Sequence, residues 1–327
     1  MGKFEFLFNE MKAYGGKEVF YHVKNRLVHD EKSLTKMLRE RDKQFERKGD
    51  IFLWEVLTKQ YAMVMGEKLL WKDPQKFTEK IQWLKKNDNS ALKEILADKY
   101  ANREWVANTI GSEYLVPLIG AWDTYENIDF DSLPQSFCLK MNHGSGMNYV
   151  VKDKNNANYK EMKACFKLWE NRPFYAATIE LQYRYMKPKI IAEKYIEQLD
   201  GQLYDYKFHC FNGKPIFIQC IGGRDLKKHT GFQNNYSLKW EKLDWTFEDY
   251  PQFPYNVEKP KALQEMIEIA ERLSKDFLYV RIDLYDLKEK VLFGEMTFTP
   301  ASGIYPYKGT WTKEKNAEIG RYLNLPN

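Results

Sequence analysis

Residues 279–300, YVRIDLYDLKEKVLFGEMTFTP, alternate twice between large apolar and polar side chains. Val280, Ile282 and Leu284 interleave with Arg281, Asp283 and Tyr285. Beyond a charged turn, Leu292, Gly294, Met296 and Phe298 interleave with Phe293, Glu295, Thr297 and Thr299. A period of two marks half-buried strands, so any fold must house a hairpin with one apolar and one charged face. Opposed residues share a face, and a slip of one residue reverses a strand. With an odd loop such as Lys288-Glu289-Lys290, Asp283 faces Glu295 and Arg281 faces Thr297. Opposed carboxylates repel, so either water solvates this face or a cation sits between them. Mg²⁺ fits the second case, since it takes one or two carboxylates and completes its shell with phosphate and water. An amide in place of either carboxylate is then expected to relieve repulsion in the metal-free chain.

The rest of the chain narrows the class. Its 327 residues, 43% hydrophobic and 16% aromatic, suffice for a sizeable core. Mean hydropathy is −0.65 and no long apolar run occurs, so no membrane span or secretory leader is expected. Cys138, Cys165, Cys210 and Cys220 lack metal or disulfide spacing and read as buried thiols of a cytoplasmic protein. A net charge of +5 favours anionic ligands but is too small to indicate nucleic acid.

Helical spacing runs through the first seventy residues, at Phe20, Val23 and Leu27, then Leu34, Met37 and Leu38, then Leu53, Val56, Leu57 and Tyr61. Its basic character fits a solvated face or a peripheral contact with membrane-bound machinery. Pro74 opens a helix through Phe77, Ile81 and Leu84, and a second follows Asp98 as N-cap and stops near Gly111. YLVPLIGAW, SFCLKMN and KPKIIAEKYI read as strands. LYDYKFHCF and KPIFIQCIG flank Asn212-Gly213, a hairpin signal. Residues 225–259 read as loop, and Leu263, Met266, Ile267, Ala270 and Leu273 mark one face of a helix. Helices mixed with hairpins predict an α+β protein.

Several pieces could bind phosphate. In FCLKMNHGSGMNYVV, Lys140 precedes a Gly144-Ser145-Gly146 turn between strands, where backbone N–H groups can converge on an anion. An ordinary glycine turn explains the same residues. His143 beside it reads as a ligand contact or as an incidental loop residue. Lys99, on the first turn of the helix after Asp98, meets the unfavourable end of the dipole; a bound polyphosphate or plain solvation would account for it.

Taken in order, these pieces resemble the ATP-grasp superfamily, and more closely its TupA-like branch. WKDPQKFTEKIQWLKKND, DKYANREWV, LPQSFCLKMNHGSG, IIAEKYIEQLDG, DYKFHCFNGKP and VRIDLYDL…FGEMTFTPASG look like that branch's blocks, in its order, over about residues 70–305. The resemblance implies two α+β lobes gripping ATP behind an N-terminal helical extension (1–70). It divides the remainder into a preceding region (71–135), a lobe with glycine loop and adenine hinge (136–200), and a lobe with the metal hairpin (201–327). Lys99, Lys140 and Lys207 would hold phosphates under Gly144, Ser145 and Gly146. Glu193, Lys194, Tyr195 and Ile196 would form the hinge, and Asp205 would meet the ribose. Asp283, Glu295 and Thr297 would bind Mg²⁺, while Arg281 and Arg224 would grip the acyl phosphate or carboxylate. The implied activity is an ATP-dependent carboxylate–amine ligase joining an amino acid or amine to a uronic acid of a cell-surface polysaccharide. A glycosyltransferase is the alternative, with only IDFD at 128–131 as a metal motif; a non-catalytic scaffold is a third reading.

Overall fold

The computed structural model describes residues 31–196, 204–225, 230–247, 250–287 and 290–326. Helix α1 (Glu31–Met65) is broken at Gly49, where φ is 73°. Then follow α2 (Phe77–Asn87), α3 (Ala91–Ala97), α4 (Asn102–Ile110), β1 (Leu118–Trp122), β2 (Phe137–Met141), β3 (Asn148–Val151), α5 (Tyr159–Trp169) and β4 (Ile190–Lys194). The C-terminal half holds β5 (Asp205–Phe211), β6 (Lys214–Asp225), β7 (Thr230–Ser237), α6 (Leu263–Ser274), β8 (Tyr279–Asp286), β9 (Val291–Thr297) and α7 (Lys313–Gly320). The fold is α+β. Among the described residues, no helix is long and apolar enough to cross a membrane. The expected helical positions at Phe20, Val23 and Leu27 lie outside the described residues.

Two antiparallel sheets organise the molecule, in the orders β1-β4-β2-β3 and β7-β6-β5-β8-β9. Each buries one face under a helix. Met162, Phe166 and Trp169 of α5, started by the Asn158 cap on Glu161 N, pack on Phe137, Leu139, Ile190 and Ala192. Leu263, Met266, Ile269, Ala270 and Leu273 of α6 pack on Phe208, Cys210, Ile218, Cys220, Ile282 and Leu284. Full burial of each large apolar side chain contributes about 1.5–3 kcal/mol. Ile269 joins this face where the spacing had suggested Ile267, which is only partly buried.

Two expectations require correction. Residues 225–259 are not all loop, because β7 pairs with β6 through Ile218↔Tyr236 and Gln219↔Asn235. The hairpin reaches its expected register by another route. Asp283 does face Glu295 and Arg281 does face Thr297, but Asp286 pairs with Val291, leaving an even loop of which Lys288 and Glu289 lie outside the described residues. The extra residue is Gly294, skipped where Leu284 pairs with Phe293 and Asp283 with Glu295. This β-bulge turns Glu295 and Thr297 away from the α6 core and onto the face of Asp283.

A Cβ at Gly294 would lie 2.9 Å from a Tyr285 ring carbon and 3.0 Å from the Asp283 carbonyl oxygen. Gly294→Val should therefore destabilise the chain by about 1–3 kcal/mol, read as a lower urea midpoint at constant m. An unchanged midpoint would mean that the bulge accepts any residue.

Candidate active site

On the face of the five-stranded sheet away from α6, register aligns Asn235, Gln219, Lys207, Asp283 and Glu295 as successive opposed residues from β7 to β9. His209, Arg281 and Thr297 form the adjacent row. Asp283, 2% exposed, belongs to the first row and accepts from Arg281 of the second. Arg281 donates from Nε to its Oδ1 at 2.6 Å and from Nη2 to its Oδ2 at 2.7 Å. Lys207 Nζ pairs with the same Oδ2 and lies 3.6 Å from Asp205. Burial opposes ionisation of Asp283, yet the two cations hold its carboxyl below the usual range. Burial likewise opposes the charge on Arg281, but Asp283 and Glu295 together outweigh it and raise its pKa.

The four-stranded sheet supplies the opposing side. Lys140 on β2 reaches Glu193 on β4 at 2.6 Å, and Arg103 of α4 binds the other Glu193 oxygen at 3.0 Å. Burial lowers the pKa of Lys140, but Glu193, with Cys138 and Glu295, more than offsets it and the net shift is upward. Lys99 does not sit on the first turn of a helix. It lies in the turn between α3 and α4, where Asp98 Oδ1 accepts from Tyr100 N and Ala101 N. Its ammonium donates to the Gly144 carbonyl and its backbone N–H to Asn142 O. Burial pushes the Lys99 pKa down, with Lys140 adding to the fall and Glu295 opposing it. The Glu295 carboxylate also raises Lys140. Glu295 thus acts on Lys140 of the other sheet and on Lys99 of the α3–α4 turn.

The glycine turn lies between β2 and β3. Gly144 has φ 78°, and a Cβ there would lie 2.4 Å from the Phe174 ring, so only glycine fits. Ser145 and Gly146 are exposed. His143 is buried; burial first, then Lys99, depresses its pKa to about 4. In the expected hinge, Glu193 is committed to Lys140 and Arg103, and the Lys194 N–H donates to Pro117 O at 2.9 Å. The Lys194 side chain is exposed, and Tyr195 and Ile196 are half-buried. Arg224 belongs to β6, but its side chain lies outside the described residues. Asp129 of the IDFD sequence caps its own surface turn, accepting from Asp131 N at 3.1 Å.

The sequence reading omitted Arg103 and Asn142. Arg103 stands four residues after Lys99, and that spacing on a helical stretch was an available sign. Asn142 ties Lys99's turn to β4, donating to Asp98 Oδ2 at 2.7 Å and accepting from Lys189 N at 2.8 Å. Such partnerships leave no local pattern.

The hairpin oxygens fit a hard cation. Arg281 Nη2 lies 2.7 Å from Asp283 Oδ2, 3.1 Å from Glu295 Oε1 and 3.1 Å from Thr297 Oγ1. A positive nitrogen thus stands where two carboxylates and a hydroxyl converge. Among the described residues, no three His, Cys, Asp or Glu side chains gather as a metal site. Two carboxylates with a hydroxyl suit Mg²⁺, whose remaining ligands are phosphate oxygens and water.

A family model described as TupA-like ATPgrasp matches residues 79–323. No curated protein matches the chain. Among solved structures, a D-alanine–D-alanine ligase from Bacillus anthracis is similar at 18% identity and a TM-score of 0.40, over 69% of this chain and 63% of that one. The ATP-grasp ligase PsnB matches at 10% identity, a TM-score of 0.36 and 79% and 66% coverage. The D-cycloserine synthetase DcsG matches at 12%, 0.37, and 71% and 70%. The chain spans less than two thirds of the length of the D-alanine–D-alanine ligase it matches. These likenesses are too distant to carry chemistry; the family match rests on its own.

The charge arrangement reverses one expectation for the metal-free chain. Asp283→Asn would strand buried Arg281 and Lys207 rather than relieve repulsion, and should cost about 3–5 kcal/mol, checked by chemical denaturation in EDTA. A midpoint equal to wild type would overturn the pairing.

His209 is wholly buried, bonded to the Tyr279 hydroxyl at 2.8 Å and stacked on Phe217. Burial, with Arg281 next, lowers its pKa to about 3. The unfolded chain protonates histidine near about 6.5. Between these values the unfolded state binds more protons, so stability is full above about pH 6.5 and falls as pH drops. Each of His209 and His143 should contribute up to about 1.4 kcal/mol per pH unit in that window. Urea titrations at successive pH values should show the slope, and His209→Gln should reduce it, leaving the share of His143 above about pH 4.

Proposed function

The chain belongs to the TupA-like ATP-grasp family, and from this we propose that it is an ATP-dependent carboxylate–amine ligase. The observation that carries the reading is the pairing of Lys207 and Arg281 with Asp283 and of Arg281 with Glu295 and Thr297, while the Glu295 carboxylate also acts on Lys99 and Lys140. A polyphosphate entering between the sheets would take over cations now engaged with carboxylates and carbonyls. In this reading the two lobes are residues 136–200 and 201–327, preceded by 71–135 and the helical extension.

Lys99, Lys140 and Lys207 would hold the nucleotide phosphates, with Gly144, Ser145 and Gly146 closing over them. Backbone groups of Lys194 and Ile196 would read the adenine edge, and Asp205 the ribose. Asp283, Glu295 and Thr297 would hold Mg²⁺, which when bound supplies charge neutralisation between the phosphates. Arg281, freed from part of its carboxylate contacts, would stabilise charge on the transferring phosphoryl group. A substrate carboxylate oxygen attacks the γ-phosphorus, the bond to ADP breaks, and an acyl phosphate forms. An amine then attacks the acyl carbon, losing a proton and expelling phosphate to leave an amide. Arg224 is a candidate for gripping the acyl group. No protein nucleophile is needed.

The finer reading follows the resemblance. The acid would be a hexuronic acid in a saccharide or glycan of capsular or teichuronic type, and the amine an amino acid. ATP supply suits the cytoplasm, with peripheral contact to membrane-bound glycan machinery.

A coupled ADP-release screen over uronic acids and amines should reveal a pair that consumes ATP only with Mg²⁺. Calorimetry showing a UDP-sugar ligand and no ATP binding would overturn the reading in favour of a glycosyltransferase. Lys99→Ala and Lys140→Ala should each weaken ATP binding by about 1.5–3 kcal/mol, or roughly ten- to a hundredfold. Unchanged affinity in both folded variants would remove these lysines from the site.

A further inference from the structure

Helix α1 lies outside the matched family region, yet its contacts lead towards the catalytic hairpin through strained backbone. Leu38, Phe45, Leu53 and Leu57 bury against Tyr175, Ala176 and Ile179. Arg41 Nη1 donates to the carbonyls of Ala176 and Ala177 at 3.1 and 3.0 Å, and Gln60 Nε2 donates to Ala177 O at 3.1 Å. Ile179, fully buried, has φ 59°. A β-branched residue rarely adopts that conformation, and such strain persists only where surrounding contacts over-determine it.

Glu180 follows directly. Its carboxylate, 8% exposed, accepts hydroxyl hydrogen bonds from Thr299 at 2.5 Å, Ser302 at 2.8 Å and Thr178 at 2.9 Å. Gln182 Nε2 donates to Thr299 Oγ1 at 2.9 Å. The buried Lys85 ammonium donates to Thr178 O at 2.8 Å; burial lowers its pKa to about 8, with Glu180 opposing the fall. The turn that Glu180 grips is itself left-handed, with φ of 45° at Ala301, 55° at Ser302 and 64° at Gly303. Thr299 stands two residues beyond Thr297 on the chain leaving β9. The partly buried Tyr183 follows on the same segment and packs on both the α1 and the α6 cores.

We infer that Glu180 is a positioning residue: backed by α1, it holds the left-handed turn at 299–303 and thereby the end of β9 that carries Glu295 and Thr297. A carboxylate fixed by three hydroxyls, on a segment clamped from behind, supplies the over-determination that strained residues on both sides require. The inference rests on the reading of Asp283, Glu295 and Thr297 as the face for nucleotide-bound Mg²⁺. It gives α1 a role in the site itself.

The test uses the full chain and two readouts that need no acceptor substrate. Hydrogen exchange follows the Ser302 and Ile304 amides, which donate to Thr299 O at 2.8 Å and Ala301 O at 3.0 Å. Calorimetry compares ATP binding with Mg²⁺ and with EDTA. Glu180→Gln and Thr299→Val should speed exchange at those two amides by at least about tenfold while β5 and β8 keep their protection. Both should weaken Mg²⁺-dependent ATP binding by at least about fivefold and leave binding in EDTA within about twofold. Thr299→Ser, which keeps the hydroxyl, should match wild type. An Arg41→Ala, Gln60→Ala double variant should show the same local loosening to a smaller extent. Unchanged exchange in Glu180→Gln would overturn the inference, as would protection lost equally across β5 and β8, which marks general destabilisation. Equal weakening with Mg²⁺ and EDTA would also overturn it. If the wild-type chain binds no ATP, the ligase reading fails separately, and the exchange arm still decides whether Glu180 holds the turn.

Discussion

Asp283 is a carboxylate in the interior of a β-sheet, and its presence there constrains most of what surrounds it. An ionised carboxylate without partners could not remain buried; it would take up a proton or draw in water. Two cations reach it, Arg281 from its own strand and Lys207 from the next. Those cations need the register that sets Lys207 opposite Asp283, and Asp283 needs the bulge that brings Glu295 onto the same face. On the other face of the same strands α6 packs against apolar side chains, so the charged ones gather on one side of the sheet.

The facing sheet repeats this logic with the same signs. There a carboxylate, Glu193, gathers Lys140 and Arg103, while Lys99 satisfies its ammonium on the Gly144 carbonyl. Each cation has a partner, but several of those partners are single carboxylate oxygens or a carbonyl. A polyanion could compete for these cations without leaving them uncharged in the interior. In the proposed reading the charges are satisfied without a nucleotide and would be handed over to one. Around it, positive φ at Ile179, Ala301 and Ser302 concentrates strain in the two segments that Glu180 joins.

Much of this could be read from the chain because the signals are local. The alternation at 279–299 revealed the hairpin and its charged face, since side-chain period follows directly from strand geometry. Apolar spacing at 263–273 located α6, and Asn212-Gly213 marked the β5–β6 turn. The expected opposition of Asp283 to Glu295 is observed, although through a bulge at Gly294 and not through an odd loop. Strand β7 escaped notice because TGFQNNYS has little apolar alternation, its amides being buried by tertiary packing. Lys99 was placed on a helix because Asp98 is a good cap; its side chain caps a turn ahead of α4 instead.

What the sequence by itself determined, then, is the α+β class, the β5–β6 and β8–β9 hairpins, the apolar face of α6 and the alternation that gives residues 281–297 one charged face. Period, turn chemistry and charge are properties of neighbouring residues. Only the tertiary structure decided which charges meet: Lys140 and Arg103 on Glu193, Lys207 and Arg281 on Asp283, and Glu180 on Thr299 and Ser302. Those partners are brought together by sheet register and by helices covering one face of each sheet. The cost of an unpaired buried charge then selects the arrangement in which each finds its counterpart.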